Sequence, residues 1–345
     1  ASGSASFIGG GQFNNVSGVA AVLGGGTNNL AAGNWSTIAG GFSSKSLGST
    51  SFVGGGGLNE AIGPGTTIAG GTGNKTINTG SFVGGGRNNI ACGTNSVVAG
   101  GCNNSATATD TTIAGGCLNI VSSGGSSIGG GHTNTASGIS SNTIGGGNNN
   151  TANGTFNSSI GGGSSNTASG GNSTIGGGLN NTVETAGINS TIGGGCHNKI
   201  CNQSVCSFIG GGVLNTTLSA NSVVVGGKSN TASGSASFVG GGITNTASGL
   251  ASFIGGGSSN SASGEHSGIF GGKSNVIDTG HESSFIIGTN LTSNLSATTF
   301  VNNISSQGTI FTGKFTTTKR NNDLGTTAEN GMLIYNSTTN KFQGY

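Results

Sequence analysis

The stretch from Asn230 to Gly264, NTASGSASFVGGGITNTASGLASFIGGGSSNSASG, contains nearly the same phrase three times. It carries almost no charge, and no side chain in it is an obvious catalyst. Triplets such as GGG and AGG mark the same phrase through most of the 345 residues. A phrase repeated at a fixed short period predicts that the chain stacks many copies of one small structural unit.

The repeats, which we call rungs, are numbered from the first residue of each triplet, taken as position 0. The step is 15 residues through the first half of the chain and becomes 16 or 17 at a few later places. Position 0 falls at residues 9, 24, 39, 54, 69, 84, 99, 114, 129, 145, 161, 176, 193, 210, 225, 240, 255, 270 and 287, with a faded rung at 302.

Position −1, the Ile column, is aliphatic in every rung and β-branched in all but Leu23. Such residues favour strands, and stacking of successive rungs turns the column into one buried stripe. The predicted core residues are Ile8, Ile38, Ile68, Ile113, Ile144, Ile175, Ile209 and Ile254.

Position +5, the Asn column, holds asparagine in most rungs, with Ser44 and Thr292 as exceptions. We expect the glycines and these asparagines to mark corners, where a positive φ costs little. The amides are also expected to form a ladder, each side chain bonding the next. The predicted ladder residues are Asn29, Asn59, Asn89, Asn134, Asn166, Asn198, Asn230 and Asn260.

A rung of 15 residues is too short for a helical hairpin but fits two short strands and two turns. The predicted fold is therefore all-β: a parallel β-solenoid of about twenty rungs of 15–17 residues, spanning residues 1–302. With rungs roughly 4.8 Å apart, the stack extends to about 95 Å.

Position −2, the Phe column, lies on the opposite face of the strand from the Ile column. It is partly aromatic, and an exposed apolar stripe of that length marks an interface. We therefore expect an oligomer whose copies meet along this column; the alternative is that the rings cover the outside of a single solenoid. The predicted stripe is Phe7, Phe52, Phe82, Phe208, Phe238 and Phe253.

The phrase SxxIGGGxxNxASGxxS resembles the repeat of trimeric autotransporter adhesin heads. That resemblance, which covers residues 1–302, implies a homotrimer of left-handed parallel β-rolls. This chain departs from those heads in its Asn column and in a repeat one residue longer than their usual fourteen. A repeat that combines the GGG triplet with the Asn column is more similar to repeats of phage and giant-virus tail-fibre-like proteins.

The C-terminal segment LGTTAENGMLIYNSTTNKFQGY, from Leu324 to Tyr345, resembles the end of many tail-fibre-like chains. Charge also changes here, with six charged residues in the 32 from Lys314 onward against twelve in the preceding 313. The alternation predicts a hairpin with its turn near Asn336 to Asn340. We expect residues 303–345 to form a small trimeric β cap.

Composition argues against several classes of function. A net charge of +2, with no Lys/Arg cluster beyond Lys319-Arg320, gives no field for nucleic acid. The sequence contains no stretch of about twenty apolar residues, so we expect no insertion into a membrane. The eight acidic residues are scattered and the four histidines show no metal-binding spacing, so we expect neither an enzyme nor a cofactor.

The cysteines leave three alternatives open. Cys102 and Cys117 occupy position +3 of successive rungs, at a distance within reach of a disulfide. Cys196, Cys201 and Cys206 lie with His197 in an expanded rung, and these four residues could bind zinc, although the spacing is not a standard one. The remaining alternative is free or buried thiols.

The expected function is a structural fibre or adhesin shaft, a trimeric rod on a virion, a cell or in the extracellular space that attaches to a surface glycan or protein. The first alternative is a self-assembling filament with a mechanical role, which a chain beginning in mid-repeat keeps open. An ice-binding surface needs an unbroken threonine array, and Asn15, Leu30 and Lys45 interrupt the one at position +6. The corner segments expected to vary the fibre surface are 142–157, 184–189, 199–205 and 278–284.

Overall fold

The computed structural model describes residues 1–302, 314–315, 333–336 and 341–344. The chain divides into two compact units, Ala1–Asn302 and Asn303–Tyr345. The described residues contain strands and turns but no helix. The first unit is a parallel β-solenoid of about twenty rungs, which confirms the fold class predicted from the sequence.

Each rung contributes one short strand to a first sheet of 20 strands. Positions −2 and −1 form this strand, so the β-branched Ile column lies in an extended backbone that suits it. The strands are β1 (Phe7–Ile8), β3 (Val22–Leu23), β5 (Thr37–Ile38), β7 (Phe52–Val53), β9 (Thr67–Ile68), β11 (Phe82–Val83), β13 (Val97–Val98), β15 (Thr112–Ile113), β17 (Ser127–Ile128), β19 (Thr143–Ile144), β21 (Ser159–Ile160), β23 (Thr174–Ile175), β25 (Thr191–Ile192), β27 (Phe208–Ile209), β29 (Val223–Val224), β31 (Phe238–Val239), β33 (Phe253–Ile254), β35 (Gly268–Gly271), β37 (Phe285–Ile287) and β38 (Thr299–Val301).

Positions +6 and +7 form a second strand in each rung, again with one residue outward and one inward. The strands are β2 (Asn15–Val16), β4 (Leu30–Ala31), β6 (Lys45–Ser46), β8 (Glu60–Ala61), β10 (Lys75–Thr76), β12 (Ile90–Ala91), β14 (Ser105–Ala106), β16 (Ile120–Val121), β18 (Thr135–Ala136), β20 (Thr151–Ala152), β22 (Thr167–Ala168), β24 (Thr182–Val183), β26 (Lys199–Ile200), β28 (Thr216–Thr217), β30 (Thr231–Ala232), β32 (Thr246–Ala247), β34 (Ser261–Ala262) and β36 (Val276–Ile277).

Every strand of both sheets pairs in parallel with the same strand of the next rung, as in Phe82↔Val97. Single-residue parallel bridges at position +3, such as Cys102↔Cys117, form a third ladder. The register survives the longer rungs: Thr174 pairs with Thr191, 17 residues later. The extra residues fall between position +8 and the next first-sheet strand, so they leave the segment from −2 to +7 unchanged in length.

The core lies between the two sheets and consists of the Ile column and the mostly small residues at position +7. Seven of the eight predicted core isoleucines are fully buried; Ile8, in the first rung, is partly buried. Full burial of one such side chain stabilises the fold by about 1.5–3 kcal/mol. At position +7, Ala152, Ala168 and Val183 are also fully buried.

The corners differ from the prediction that placed the Asn column at a positive φ. The left-handed residue is instead the one before it, at position +4, and it is not always glycine or asparagine: Asn28 has φ 58°, Leu58 57° and Leu118 60°. A second left-handed position follows at +11, as in Trp35 with φ 56°. The Asn column comes directly after this left-handed residue, and its side chains point into the core.

The second unit contains three described strands, β39 (Lys314–Phe315), β40 (Leu333–Asn336) and β41 (Lys341–Gly344). β40 and β41 pair antiparallel, with Asn336 opposite Lys341, as the predicted hairpin requires. The turn itself lies outside the described residues. β39 pairs in parallel with β40, a contact that the sequence did not indicate.

Candidate assembly surface

The Asn column is buried and binds neighbouring rungs through the backbone. The Nδ2 atom of Asn59 donates to the carbonyl oxygens of Gly55, at 2.8 Å, and Gly71, at 2.9 Å. Its Oδ1 atom accepts the backbone N–H of Asn74 at 3.0 Å. The same arrangement recurs along the column, so one amide satisfies three backbone groups. The eight predicted ladder residues are all buried.

This pattern corrects the predicted amide ladder, because the recurrent bond runs from side chain to backbone. Direct amide–amide bonds within the column, at 3.0–3.2 Å, occur at five steps: Asn104–Asn119, Asn150–Asn166, Asn230–Asn245, Asn245–Asn260 and Asn260–Asn275. A side-chain ladder not predicted from the sequence lies on the surface at the +11 corner. There Asn157 donates to Asn172 at 3.0 Å, and Asn172 donates to Asn189 at 3.1 Å.

The Phe column lies on the outer face of the first sheet. All six predicted stripe residues are exposed or half-buried, and Phe7 is the most open at 57%. Phe238 and Phe253, in successive rungs, stack with ring centroids 5.4 Å apart and planes within 10°. The six middle rungs from β15 to β25 carry threonine or serine in this column instead.

The aromatic array continues across a rung that has no side chain in the Phe column. Gly268 occupies that position, and Phe270, two residues later on the same face of the strand, supplies the ring. The Phe270 centroid lies 5.8 Å from that of Phe253 and 6.3 Å from that of Phe285. Four rings therefore follow one another over four rungs.

The outer face of the first sheet carries no charge at positions −2, 0 and +1. We call these three positions, from residue 7 to residue 288, the uncharged face. Twelve charged residues lie between residues 1 and 302, and all of them occupy other positions: Lys45, Glu60, Lys75, Arg87, Asp110, Glu184, Lys199, Lys228, Glu265, Lys273, Asp278 and Glu282.

Glycine at position +2 is required by the fold of the single chain. Gly101 has φ 91°, and a Cβ there would collide with the carbonyl oxygen of Gly116 in the next rung and lie 2.7 Å from the amide nitrogen of Asn104. Other residues rarely adopt this backbone. The column at +2 is thus explained by contacts within the chain.

Glycine at position +1 is not explained in this way, although it occurs in the eighteen rungs from Gly10 to Gly271. In the next rung Ile287 pairs with Gly271 and takes the place of the glycine. A Cβ added to Gly100 or Gly115 would meet nothing within 4 Å, and neither residue has a left-handed φ. In the other rungs of this column a Cβ meets nothing or has its nearest atom at 3.8–4.0 Å, but five members, Gly10, Gly55, Gly85, Gly130 and Gly241, have a φ of 151–159°. We call this column the glycine corner.

Five of the charged residues form ion pairs on or beside the second sheet. Glu60 lies between Lys45, at 2.7 Å, and Lys75, at 3.5 Å. The hydrogen bond from Lys45 lowers the pKa of the Glu60 carboxyl, against the opposing effect of partial burial. Lys199 pairs with Glu184 at 2.6 Å, which raises the pKa of the lysine.

The structure decides between the alternatives for some of the cysteines. A disulfide joins Cys102 and Cys117, whose Cα atoms lie 4.6 Å apart, and the other four cysteines are free. Cys196, Cys201 and Cys206 do not come together with His197. Within the described residues, no three His, Cys, Asp or Glu side chains are placed to hold a metal ion. Burial raises the pKa of the Cys201 thiol.

A shallow groove of about 500 Å³ follows positions +4 and +6 of the first four rungs. Apolar side chains line it, namely Phe13, Leu30 and Leu58, and the Lys45–Glu60 pair adds charge. Phe13 is 83% exposed. The groove therefore offers an aromatic ring beside hydrogen-bonding groups.

In comparisons with known proteins, no family model and no curated protein matches the chain. Among the described residues, no helix is long and apolar enough to cross a membrane.

Proposed function

We propose that the chain is a structural fibre, a homotrimeric rod that forms the shaft or head of an adhesin or of a tail-fibre-like protein. The observation that carries this proposal is the parallel stack from β1 to β38, which keeps one register as far as β35 and shifts by one residue at β37. Most rungs are bonded to the next through two strands, a bridge and an asparagine. A stack bonded in this way suits a spacer, because the number of rungs sets its length.

The proposed role of the rod is attachment of a virion or cell to a surface glycan or protein. Support comes from the resemblance of the repeat and of the C-terminal segment to adhesin heads and tail-fibre-like chains. The groove at Phe13 and the exposed asparagine ladder at Asn157 are the surfaces best suited to such a ligand. Aromatic rings and amides are the groups that would contact a sugar's apolar face and its hydroxyls.

The alternative is a filament that grows end to end and acts mechanically. The uniform parallel pairing favours it, since an edge strand of such a stack presents the same pairing pattern as the strands within it. Exposed edges of this kind pair with further chains.

Light scattering of the full chain, with negative-stain imaging of the same sample, separates the two proposals. A mass of three chains and rods of one fixed length support the trimeric fibre. Particles that lengthen with protein concentration support the filament instead. A single-chain mass at all concentrations contradicts both.

A further inference from the structure

We propose that the uncharged face is the seam between copies of this chain, and that the glycine corner is where their backbones approach most closely. This rests on the proposed homotrimer but not on its role in attachment. The occupant of the face is a second copy of this chain, lying parallel to the first.

The absence of charge on the face indicates a surface that is covered. The twelve charges of the first 302 residues lie at positions +3, +6, +8 and +10 to +12, and none lies in the nineteen rungs of this face. Charged residues are depleted at the centre of protein interfaces because burying them costs free energy. The exposed column at position +4, with Phe13 and Leu58, is also uncharged, so the glycine corner is what distinguishes this face.

The glycine corner needs an explanation from outside the single chain. A Cβ at Gly100 or Gly115 meets no atom of its own chain within 4 Å, and neither residue has a left-handed φ. Over the same eighteen rungs position 0 beside it varies, since it holds Gly, Ala, Val225 and Phe270. At the thirteen members of the column without a positive φ, neither space nor backbone conformation in the single chain requires glycine. Such glycines are expected where another backbone comes close.

The size of the face is sufficient for a stable interface. Nineteen rungs at about 4.8 Å give about 90 Å, and three backbone steps give a width of about 10 Å. The resulting area of about 900 Å² a chain compares with about 800 Å² a partner in a standard interface.

The occupant must share the period of the rungs. The glycine recurs in eighteen successive rungs, and the insertions among them lie outside positions −2 to +7, so the spacing of the corner is constant over these rungs. A globular partner would contact a few rungs and leave the rest free to vary. Another copy of the same solenoid presents the matching period over the whole length. Closed association of identical rods in one direction requires a cyclic arrangement.

The first test is the double variant Gly100→Lys with Gly115→Lys in the full chain, with its mass measured by light scattering. The matched control is Ser105→Lys with Ile120→Lys, in the same two rungs at position +6, a position where Lys45 and Lys75 occur naturally. We expect the wild type and the control to have the same multi-chain mass and the glycine variant to fall to one chain, a threefold loss. Unchanged mass of a folded glycine variant overturns the seam and leaves the trimer intact. A single-chain wild type overturns both.

The second test keeps the proposal falsifiable if the lysine variant does not fold. Gly256→Cys is expected to form inter-chain disulfides on mild oxidation, because a Cβ there meets nothing in its own chain and would face a second copy. Ser261→Cys, at position +6 of the same rung, and the wild type give the background from the four free cysteines. Covalent dimers well above both controls support the seam. Equal cross-linking of Gly256→Cys and Ser261→Cys contradicts it.

Discussion

The side-chain oxygen of Asn59 accepts the backbone N–H of Asn74, one rung later, at 3.0 Å. Both residues are fully buried. An inward-pointing amide therefore links each rung to the next where an unpaired backbone group would be costly. The same bond joins most neighbouring members of the Asn column, which explains why a polar residue recurs inside a core of isoleucine and alanine.

Removing one such amide is expected to destabilise the solenoid strongly. Asn150→Ala deletes two bonds to glycine carbonyls and leaves the buried N–H of Asn166 without its acceptor. We expect a loss of about 3 kcal/mol in the free energy of unfolding, measured by chemical denaturation. The control is Asn148→Ala, an exposed residue two positions earlier, which should change stability by less than about 0.5 kcal/mol. Equal effects of the two substitutions would contradict a special role for the buried column.

Two buried hydroxyls are expected to be replaceable with a gain in stability. Thr217 Oγ1 and Thr76 Oγ1 lie in the core at position +7 without a hydrogen-bond partner among the described residues. Thr217→Val keeps the shape and removes the unpaired hydroxyl, so denaturation should show a gain of about 1 kcal/mol. Thr216→Val, the outward neighbour, serves as the control and should be nearly neutral. A loss of stability in Thr217→Val would show that the hydroxyl is satisfied.

The Glu60 ion pairs predict a small dependence of stability on pH. Because the pKa of Glu60 is lower in the folded chain, its contribution is present above the ordinary glutamate pKa and is lost as the pH falls through the lowered one. The pair is partly exposed and screened by water, so the effect should stay below about 1 kcal/mol. Unfolding midpoints of the wild type and Glu60→Gln, compared between pH 7 and pH 3, should converge in acid. A constant difference across that range would count against the prediction.

The position of the aromatic array predicts that two equally exposed phenylalanines contribute differently to association of the chains. Phe270 and Phe42 are both 55% exposed, but only Phe270 lies on the uncharged face. We expect Phe270→Ala to weaken association of the chains about tenfold, since apolar anchors at an interface each contribute more than about 1 kcal/mol, and Phe42→Ala to leave it unchanged. Dilution series in sedimentation experiments measure both. If Phe42→Ala weakens association as much as Phe270→Ala, the position +3 column rather than the uncharged face is the contact.

The sequence predicted the solenoid, because one period fixed the strands, the parallel register and the inward Ile column together. It did not predict the bonding of the Asn column, since asparagine is equally suited to corners and to buried backbone contacts. The left-handed positions at Leu58 and Leu118 were also missed, because a stacked register imposes the corner whatever the residue. Only the structure shows that the single chain leaves room for a side chain at the glycine corner, because the sequence does not distinguish Gly100 from Gly101.

The central claim is that several solenoids lie side by side with their uncharged faces turned inward. An electron cryomicroscopy reconstruction of the full-chain rods tests it most directly, because the cross-section resolves each solenoid and its orientation. We predict three solenoids in parallel around one axis, with the column from Gly10 to Gly271 nearest to it and the Phe238–Phe285 rings covered. A single solenoid in cross-section, or several with the Phe column facing solvent, would contradict the account.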